Sequence, residues 1–144
     1  MKYTTKVIIK KEVDVVYNAL NDKESAFKWI DGLETFDLLE GINGEVNSKY
    51  KMIFIDKKGN LSEMTETIKQ KTDNTIVTVY EAKGVWNECI NNLISNGNQT
   101  IYEMKTTFKF GVLTNLFIWI LKPMFKKETL KGLNKFKEYC ESIE

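Results

Sequence analysis

The sequence has no histidine and no arginine, so lysine supplies all 21 of its basic residues. Without histidine the chain lacks the commonest general base and the commonest metal ligand of proteins. Without arginine it lacks the bidentate clamp that holds phosphate and carboxylate groups. These absences disfavour zinc-dependent, phosphoryl-transfer and most hydrolytic chemistry. We therefore expect no bound metal ion and no cofactor.

Cysteines, net charge and targeting segments are also scarce. Cys89 and Cys140 are the only cysteines and lie far apart in the sequence, which favours free, buried thiols over a disulfide. The net charge is +1 and the lysines are scattered, so we expect no nucleic-acid partner. Residues 1–20 contain no apolar run of signal-peptide type, which predicts a cytoplasmic protein.

A long hydrophobic run is absent as well. The most apolar stretch, 111–125, has the unbroken core "LFIWIL", which is far shorter than the ~20 residues that span a bilayer. Lys122 and Pro123 interrupt it, so we expect no transmembrane segment. Because Phe117 and Trp119 precede a lysine-rich continuation, peripheral membrane contact stays open as an alternative to packing against a sheet.

Turn signals recur at regular spacing through the middle of the chain. They are "GING", "DKKGN", "TDNT" and "SNGN", and the last contains the Asn-Gly pair typical of tight hairpins. Between the turns lie runs of strand length, which predict strands at 2–10, 34–41, 45–56, 60–71, 75–84, 86–95 and 99–110. Because the later connections are short, these strands should form an antiparallel meander.

Helical spacing of apolar residues predicts two short helices after the first strand, at 12–22 and 24–30, and a long helix at about 113–142. The long helix has an apolar stripe of period 3.6, which comprises Leu113, Phe117, Ile120, Leu121, Met124, Phe125, Leu133, Phe136, Cys140 and Ile143. A sheet with one face to bury and a helix to cover it predict one α+β domain spanning residues 1–144.

The order of elements resembles that of the START/Bet v 1-like superfamily, also called SRPBCC or polyketide cyclase-like proteins. Matching segments are "VDVVYNALND" after the first strand, Trp29 in the second helix, Gly44 in "GEVNSKYKM", and the closing "LKPMFKKETLKGLNKFKEYCE". The resemblance implies a helix-grip fold, in which a seven-stranded antiparallel sheet wraps around the long C-terminal helix. It also implies an internal cavity for lipids, sterols, quinones or polyketides, in which some members catalyse cyclisation or dehydration.

Two predicted strands carry carboxyl groups at positions that strand alternation assigns to the interior. In "SEMTETIKQ", the register that buries Met64 and Ile68 also turns Glu66 inward. In "VWNECINNLI", burying Trp86 and the two isoleucines turns Glu88 and Asn92 inward. A buried carboxyl group with a raised pKa can act as an acid or base. The alternatives are a bulge that flips the register and a lysine that pairs with the glutamate.

The strands predicted at 75–84 and 99–110 have clearer inward faces. The first face carries Ile76, Thr78, Tyr80 and Ala82, and the second carries Tyr102, Met104, Thr106, Phe108 and Phe110. Aromatic and methionine walls with a few hydroxyl groups are typical of small-molecule cavities. They are equally typical of a filled core, so both interpretations stay open.

Three residues of the long helix suggest space beneath it. Pro123 removes a backbone hydrogen bond and kinks a helix, and Gly132 weakens a helix relative to alanine. Thr129 lies near them on the apolar stripe. The alternative is that the kink follows the curvature of the sheet and that Gly132 admits a bulky strand residue.

Our leading hypothesis is a non-enzymatic binder of a small hydrophobic molecule, with no residue assigned a catalytic role. The predicted ligand-binding residues are Trp29, Met64, Glu66, Tyr80, Trp86, Glu88, Tyr102, Met104, Phe108, Phe117, Ile120 and Met124. One alternative is a cyclase or dehydratase that uses Glu66 or Glu88 with Tyr80 or Tyr102. Another is a protein- or membrane-docking module anchored by Trp119.

Overall fold

The structure is a computed structural model that describes residues 1–111 and 118–144, without the side chains of residues 118 and 119. Its elements are β1 (Lys2–Ile9), α1 (Val13–Asn21), α2 (Lys23–Trp29), β2 (Leu33–Glu40), β3 (Lys49–Ile55), β4 (Leu61–Lys71), β5 (Thr75–Ala82), β6 (Val85–Asn96), β7 (Gln99–Phe110) and α3 (Ile118–Ser142). The order of elements matches the sequence prediction, with bounds shifted by a few residues. The predicted helix start at Leu113 lies outside the described residues.

The seven strands of the described chain form one antiparallel sheet in the order β1-β7-β6-β5-β4-β3-β2. Strands β2 to β7 follow one another as the predicted meander, and β1 joins the sheet beside β7. At the predicted Asn-Gly hairpin, Asn96 lies opposite Gln99, and Gly97 has a φ of 65°. Glycine adopts this left-handed conformation without a steric penalty, so the turn is tight and fixes the register of β6 and β7.

The main core lies where the sheet, α1 and the C-terminal part of α3 meet. Phe136 and Cys140 of α3 and Val16 of α1 are fully buried there, against Leu93 of β6 and Tyr102 of β7. Burying a large apolar side chain stabilises the fold by roughly 1.5–3 kcal/mol. This cluster therefore fixes the C-terminal part of α3 against the sheet.

Two local features place α2 beside the sheet. Asp22 caps the N-terminus of α2 by accepting a hydrogen bond from the Glu24 amide at 3.1 Å. After α2, Gly32 has a φ of 73°, and a Cβ at this position would lie 2.4 Å from the Ile55 carbonyl oxygen. Only glycine fits this turn, which brings the end of α2 against β3.

The register of β6 differs from the prediction. Cys89, Asn91 and Leu93 are buried on the inner face, so Trp86 and Glu88 point to the outer face. A polar side chain is tolerated inside because Asn91 accepts a hydrogen bond from the Tyr102 hydroxyl at 2.6 Å. Asn91 also donates to a backbone carbonyl of β5 at 3.0 Å. The expectation that Trp86 and Glu88 face the interior is therefore wrong.

The apolar stripe of α3 holds only over part of its length. Leu133, Phe136 and Cys140 are buried as predicted, but Ile120 is 52% exposed and Met124 is 55% exposed. Ile120 and Phe136 are sixteen residues apart, about four and a half helical turns, so they lie on nearly opposite sides of α3. Within residues 1–111 and 118–144, no helix combines the length and apolar character needed to cross a bilayer.

Candidate functional site

A cavity of about 620 Å³ lies between the inner face of the sheet and α3, with the end of α2 on one side. It is partly open to solvent and its walls are mostly apolar. Small-molecule sites in proteins typically have volumes of roughly 300–1,000 Å³. The gap under α3 therefore has the size of a ligand site.

Half of the residues predicted as ligand contacts meet in this cavity. Its walls include six of them, which are Trp29, Met64, Tyr80, Tyr102, Met104 and Phe108. They come from α2, β4, β5 and β7, and the strand residues among them lie on the inner face of the sheet. The structure thus brings together side chains that are up to 79 positions apart in the sequence, from Trp29 to Phe108.

Of the other six predicted contacts, the five within the described residues lie elsewhere. Trp86 and Glu88 are on the outer face of β6, where the Lys109 ammonium group lies 4.6 Å from the centre of a Trp86 ring. Ile120 and Met124 point to solvent, so they do not line the cavity. Phe117 lies outside the described residues, as does the side chain of Trp119, the predicted docking anchor. Glu66 lines a smaller, neighbouring cavity.

Several residues of the main cavity are not among the predicted ligand contacts, although the sequence placed Ala82 on an inward face and predicted space beside Thr129 and Gly132. Those from strands and α2 are Ile30, Met52, Phe54, Ala82, Val85, Asn87 and Cys89, and those from α3 include Phe125, Glu128, Thr129, Gly132 and Phe136. The alternation in "KYKMIFI" could have predicted Met52 and Phe54, because Tyr50, Met52 and Phe54 share one face of β3. No comparable signal marks Asn87 and Cys89, since both faces of β6 carry apolar residues.

Aromatic contacts hold the cavity walls at its two ends. At the core end, Phe136 packs edge-on against Trp29 and Tyr102, with ring centroids 4.9 Å and 5.6 Å apart. At the other end, Phe125 of α3 lies 5.0 Å from Phe108, again between ring centroids. Such aromatic pairs contribute roughly 0.5–1.5 kcal/mol beyond the area they bury. The walls are therefore ordered by contacts that leave the space between them unfilled.

A smaller cavity of about 90 Å³ adjoins the main one and has a polar lining. Lys23 of α2 donates a hydrogen bond to the Glu66 carboxylate at 2.8 Å, and the Glu66 residue is only 4% exposed. The Lys23 ammonium group also lies 4.7 Å from the centre of the Tyr50 ring. A buried carboxylate needs such a partner, so the predicted inward position of Glu66 is confirmed together with the pairing lysine.

Tyr80 and Trp29 line both cavities and so mark the boundary between them. Burial, and then the negative charge of Glu66 across the β4–β5 pair, raise the pKa of Tyr80 well above its ordinary value. The Tyr80 phenol therefore stays protonated near neutral pH, where it can donate a hydrogen bond but cannot act as a base. The Trp29 indole N–H is buried and has no hydrogen-bond partner among the described residues.

The buried thiol of the cavity is also protonated. Burial raises the pKa of Cys89 to about 12, so the thiolate form is scarce near neutral pH. Cys89 is a free cysteine, as predicted. It therefore contributes a weakly polar wall and not a nucleophile.

No protein-family model matches this sequence, and no curated protein matches it. Solved structures do match over nearly the whole chain. Ara h 8.0201 has a TM-score of 0.81 at 13% identity, over 99% of this chain and 99% of that one. The ZhuI aromatase/cyclase from Streptomyces sp. R1128 has a TM-score of 0.79 at 13% identity, over 98% and 93%.

Norcoclaurine synthase from Thalictrum flavum is similar too, with a TM-score of 0.73 at 11% identity, over 99% of this chain and 87% of that one. At these identities the likeness concerns the fold and not the activity. The sheet order, the two short helices after β1 and the long final helix agree with the resemblance found in the sequence. The chain therefore has the helix-grip fold of Bet v 1-like proteins.

Proposed function

We propose that this protein binds a small hydrophobic molecule in the cavity between the sheet and α3. The observation that carries the proposal is the unfilled space of about 620 Å³ beneath the first part of α3, with mostly apolar walls. A filled core would place side chains in this space, since protein interiors are close-packed. The solved structures with this fold include an aromatase/cyclase, which supports a small-molecule function for the fold.

The chemistry of the walls favours a ligand that is apolar over most of its length. Three methionines, Met52, Met64 and Met104, line the cavity together with aromatic rings. Methionine side chains are flexible and polarizable, so such walls adapt to ligands of different shape. Burial of apolar ligand area would supply the affinity, at about 25 cal/mol per Å² before the costs of ordering.

The boundary with the smaller cavity would orient the ligand. Tyr80 offers a hydroxyl group there, and the Trp29 indole N–H is a buried donor in need of an acceptor. An oxygen atom at one end of the ligand would find both donors on the same side. We therefore propose a ligand of the lipid, sterol, quinone or polyketide class, with its polar end towards Trp29 and Tyr80.

The test introduces a large side chain from α3 into the cavity. Gly132 lines the cavity, and a Cβ added there would meet no atom within 4 Å. We expect Gly132→Trp to abolish the saturable binding of a fluorescent anilinonaphthalene sulfonate probe, while the matched variant Gly132→Ala retains it. Circular dichroism and urea unfolding confirm that both variants are folded. Equal probe binding by the two variants would contradict the proposal.

A second candidate is proton-transfer catalysis of the cyclase or dehydratase type. The observation that favours it is Tyr80, a protonated phenol that lines the main cavity and lies opposite the buried Glu66 carboxylate. In this hypothesis Tyr80 is a general acid, while Glu88 has no part because it faces outward. Tyr80→Phe should then abolish turnover of a polyketide-like substrate and change its affinity little, whereas a carrier would lose affinity alone.

A further inference from the structure

The outward face of the first half of α3 combines apolar and cationic side chains. Ile120, Met124, Lys127 and Lys131 lie at positions i, i+4, i+7 and i+11 of the helix and so share one face. All four are exposed, with Ile120 and Met124 at 52% and 55%. Large exposed apolar residues beside lysines on a helix are typical of binding at the interface of an anionic membrane.

The charge of α3 supports this interpretation. The helix contains six lysines and three glutamates, so its net charge is +3 in a chain whose total is +1. Within the described part of the chain, neither Lys127 nor Lys131 forms a salt bridge, whereas Lys135 one turn later is paired with Asp31. The two lysines on the same face as the exposed apolar pair are thus available to lipid phosphates.

Other exposed apolar residues have different surroundings. Leu39 precedes Glu40, and Leu61 is followed closely by Glu63, so an anionic surface would repel both sites. On the outer face of the sheet, Ile94 is 44% exposed and lies in a cross-strand row with Ile101. Ile8 continues this row on β1, where Lys10 is exposed and Lys6 lies 3.9 Å from the Glu103 carboxylate. The start of α3 combines two large exposed apolar residues with two lysines that form no salt bridge within the described part of the chain.

We propose that this protein docks on anionic bilayers through the face formed by Ile120, Met124, Lys127 and Lys131. The opposite side of the same helical turns carries Phe125 and Thr129, which wall the main cavity. Docking thus places the wall of the cavity at the membrane surface. The proposal goes beyond ligand binding and does not depend on it, because docking is measured on protein without added ligand.

The experiment is flotation of the full chain with vesicles of two compositions. We expect binding to equimolar phosphatidylcholine and phosphatidylglycerol, little binding to phosphatidylcholine alone, and a marked loss as salt rises to about 0.15 M. Lys127→Gln and Lys131→Gln should each weaken binding roughly fivefold. Ile120→Ser should weaken it roughly tenfold by removing apolar area from the interface.

The matched control is Ile94→Ser, which removes an exposed isoleucine of similar exposure far from α3 in the sequence. It should bind vesicles like the unmodified chain, and all variants should unfold at similar urea concentrations. No binding to anionic vesicles at low salt would overturn the proposal. It would also be overturned if Ile94→Ser weakened binding as much as Ile120→Ser, or if neutral and anionic vesicles bound the protein equally.

Discussion

The two halves of α3 belong to one continuous helix but have different surroundings. From residue 133 onward, Leu133, Phe136 and Cys140 are buried against α1 and the sheet. Before residue 133, Phe125 and Thr129 are only half-buried and border the cavity. The comparison shows that a helix can be held firmly at one end by a close-packed core. Its other end is then free to cover a space without filling it.

Among the described residues, side chains of β1 and β7 hold the first half in place. The Tyr3 hydroxyl of β1 lies 2.7 Å from the Thr129 hydroxyl and 3.4 Å from the Phe125 carbonyl oxygen, to which it can donate. Phe125 also packs on Phe108 and Phe110, with ring centroids 5.0 Å and 5.6 Å apart. These contacts lie along one side of the cavity. They position the helix while leaving the space beneath Gly132 open.

The largest expected effect is a difference between the two halves of α3 in how much stability an alanine substitution removes. Phe136→Ala should lower the free energy of unfolding by about 3–5 kcal/mol, because Phe136 is fully buried. Phe125→Ala, the matched change in the first half, should cost only about 1–2 kcal/mol, because Phe125 is only half-buried. Urea unfolding measures both values. Equal losses would mean that the first half is packed as tightly as the second.

Alkaline pH should weaken the core through Cys140. Burial raises the pKa of Cys140 to about 12, whereas the thiol of the unfolded chain ionises near pH 9. Above pH 9 the unfolded state therefore binds fewer protons than the folded state, and stability falls by up to ~1.4 kcal/mol per pH unit. Below pH 9 this contribution is constant.

Cys140→Ala should accordingly show a shallower loss of stability between pH 9 and about pH 11 than the unmodified chain. Urea midpoints measured across this range give the two slopes. Cys89→Ala is compared over the same pH range. Burial also raises the pKa of Cys89 to about 12, but this thiol lines the cavity. An unchanged slope in Cys140→Ala would show that the Cys140 thiol is not shielded from water.

A smaller effect is expected where β1 holds the first half of α3. Thr129→Val removes the partner of the Tyr3 hydroxyl and should lower stability by about 1 kcal/mol. Ser142→Ala is the control, because Ser142 is exposed and its hydroxyl donates, among the described residues, only to the Tyr139 carbonyl oxygen in the last turn. That control should change stability little. Thermal unfolding of both variants measures the difference.

The smallest expected effect is a gain of stability. Gly132→Ala should raise the free energy of unfolding by about 0.5–1 kcal/mol, since alanine favours a helix and the added methyl group meets no atom within 4 Å. A matched change, Asn134→Ala on the exposed face, reports the helix-propensity gain alone. If Gly132→Ala were destabilising while Asn134→Ala were not, the space beside Gly132 would be filled.

Much of the fold follows from the sequence because its signals are local. The Asn-Gly turn at 96–97 and the alternation of β5 and β7 predicted the meander, and the structure confirms it. The sequence of β6 is ambiguous, because Trp86 and Ile90 alternate on one face while Cys89 and Leu93 alternate on the other. Pairing with the neighbouring strands resolves which face of β6 points inward, because it places Cys89 opposite Thr78 and Thr106 on the inner face.

The site could be predicted only in part for a related reason. Inward positions such as Tyr80 and Met104 follow from strand alternation, but whether they enclose a space depends on how far α3 stands from the sheet. That distance is set by non-local contacts, such as that between Tyr3 and Thr129. The same contacts turn Met124 to solvent, although its spacing fits the apolar stripe of the helix.

The most direct test of the central claim, that the space under the first half of α3 holds a ligand, is native mass spectrometry of freshly purified protein. Denaturing extraction then identifies whatever is released. We expect a discrete, stoichiometric adduct of a few hundred daltons, the size that a cavity of about 620 Å³ admits, and we expect Gly132→Trp to lack it. A bare mass that does not shift with fatty acids, sterols or quinones would contradict the account.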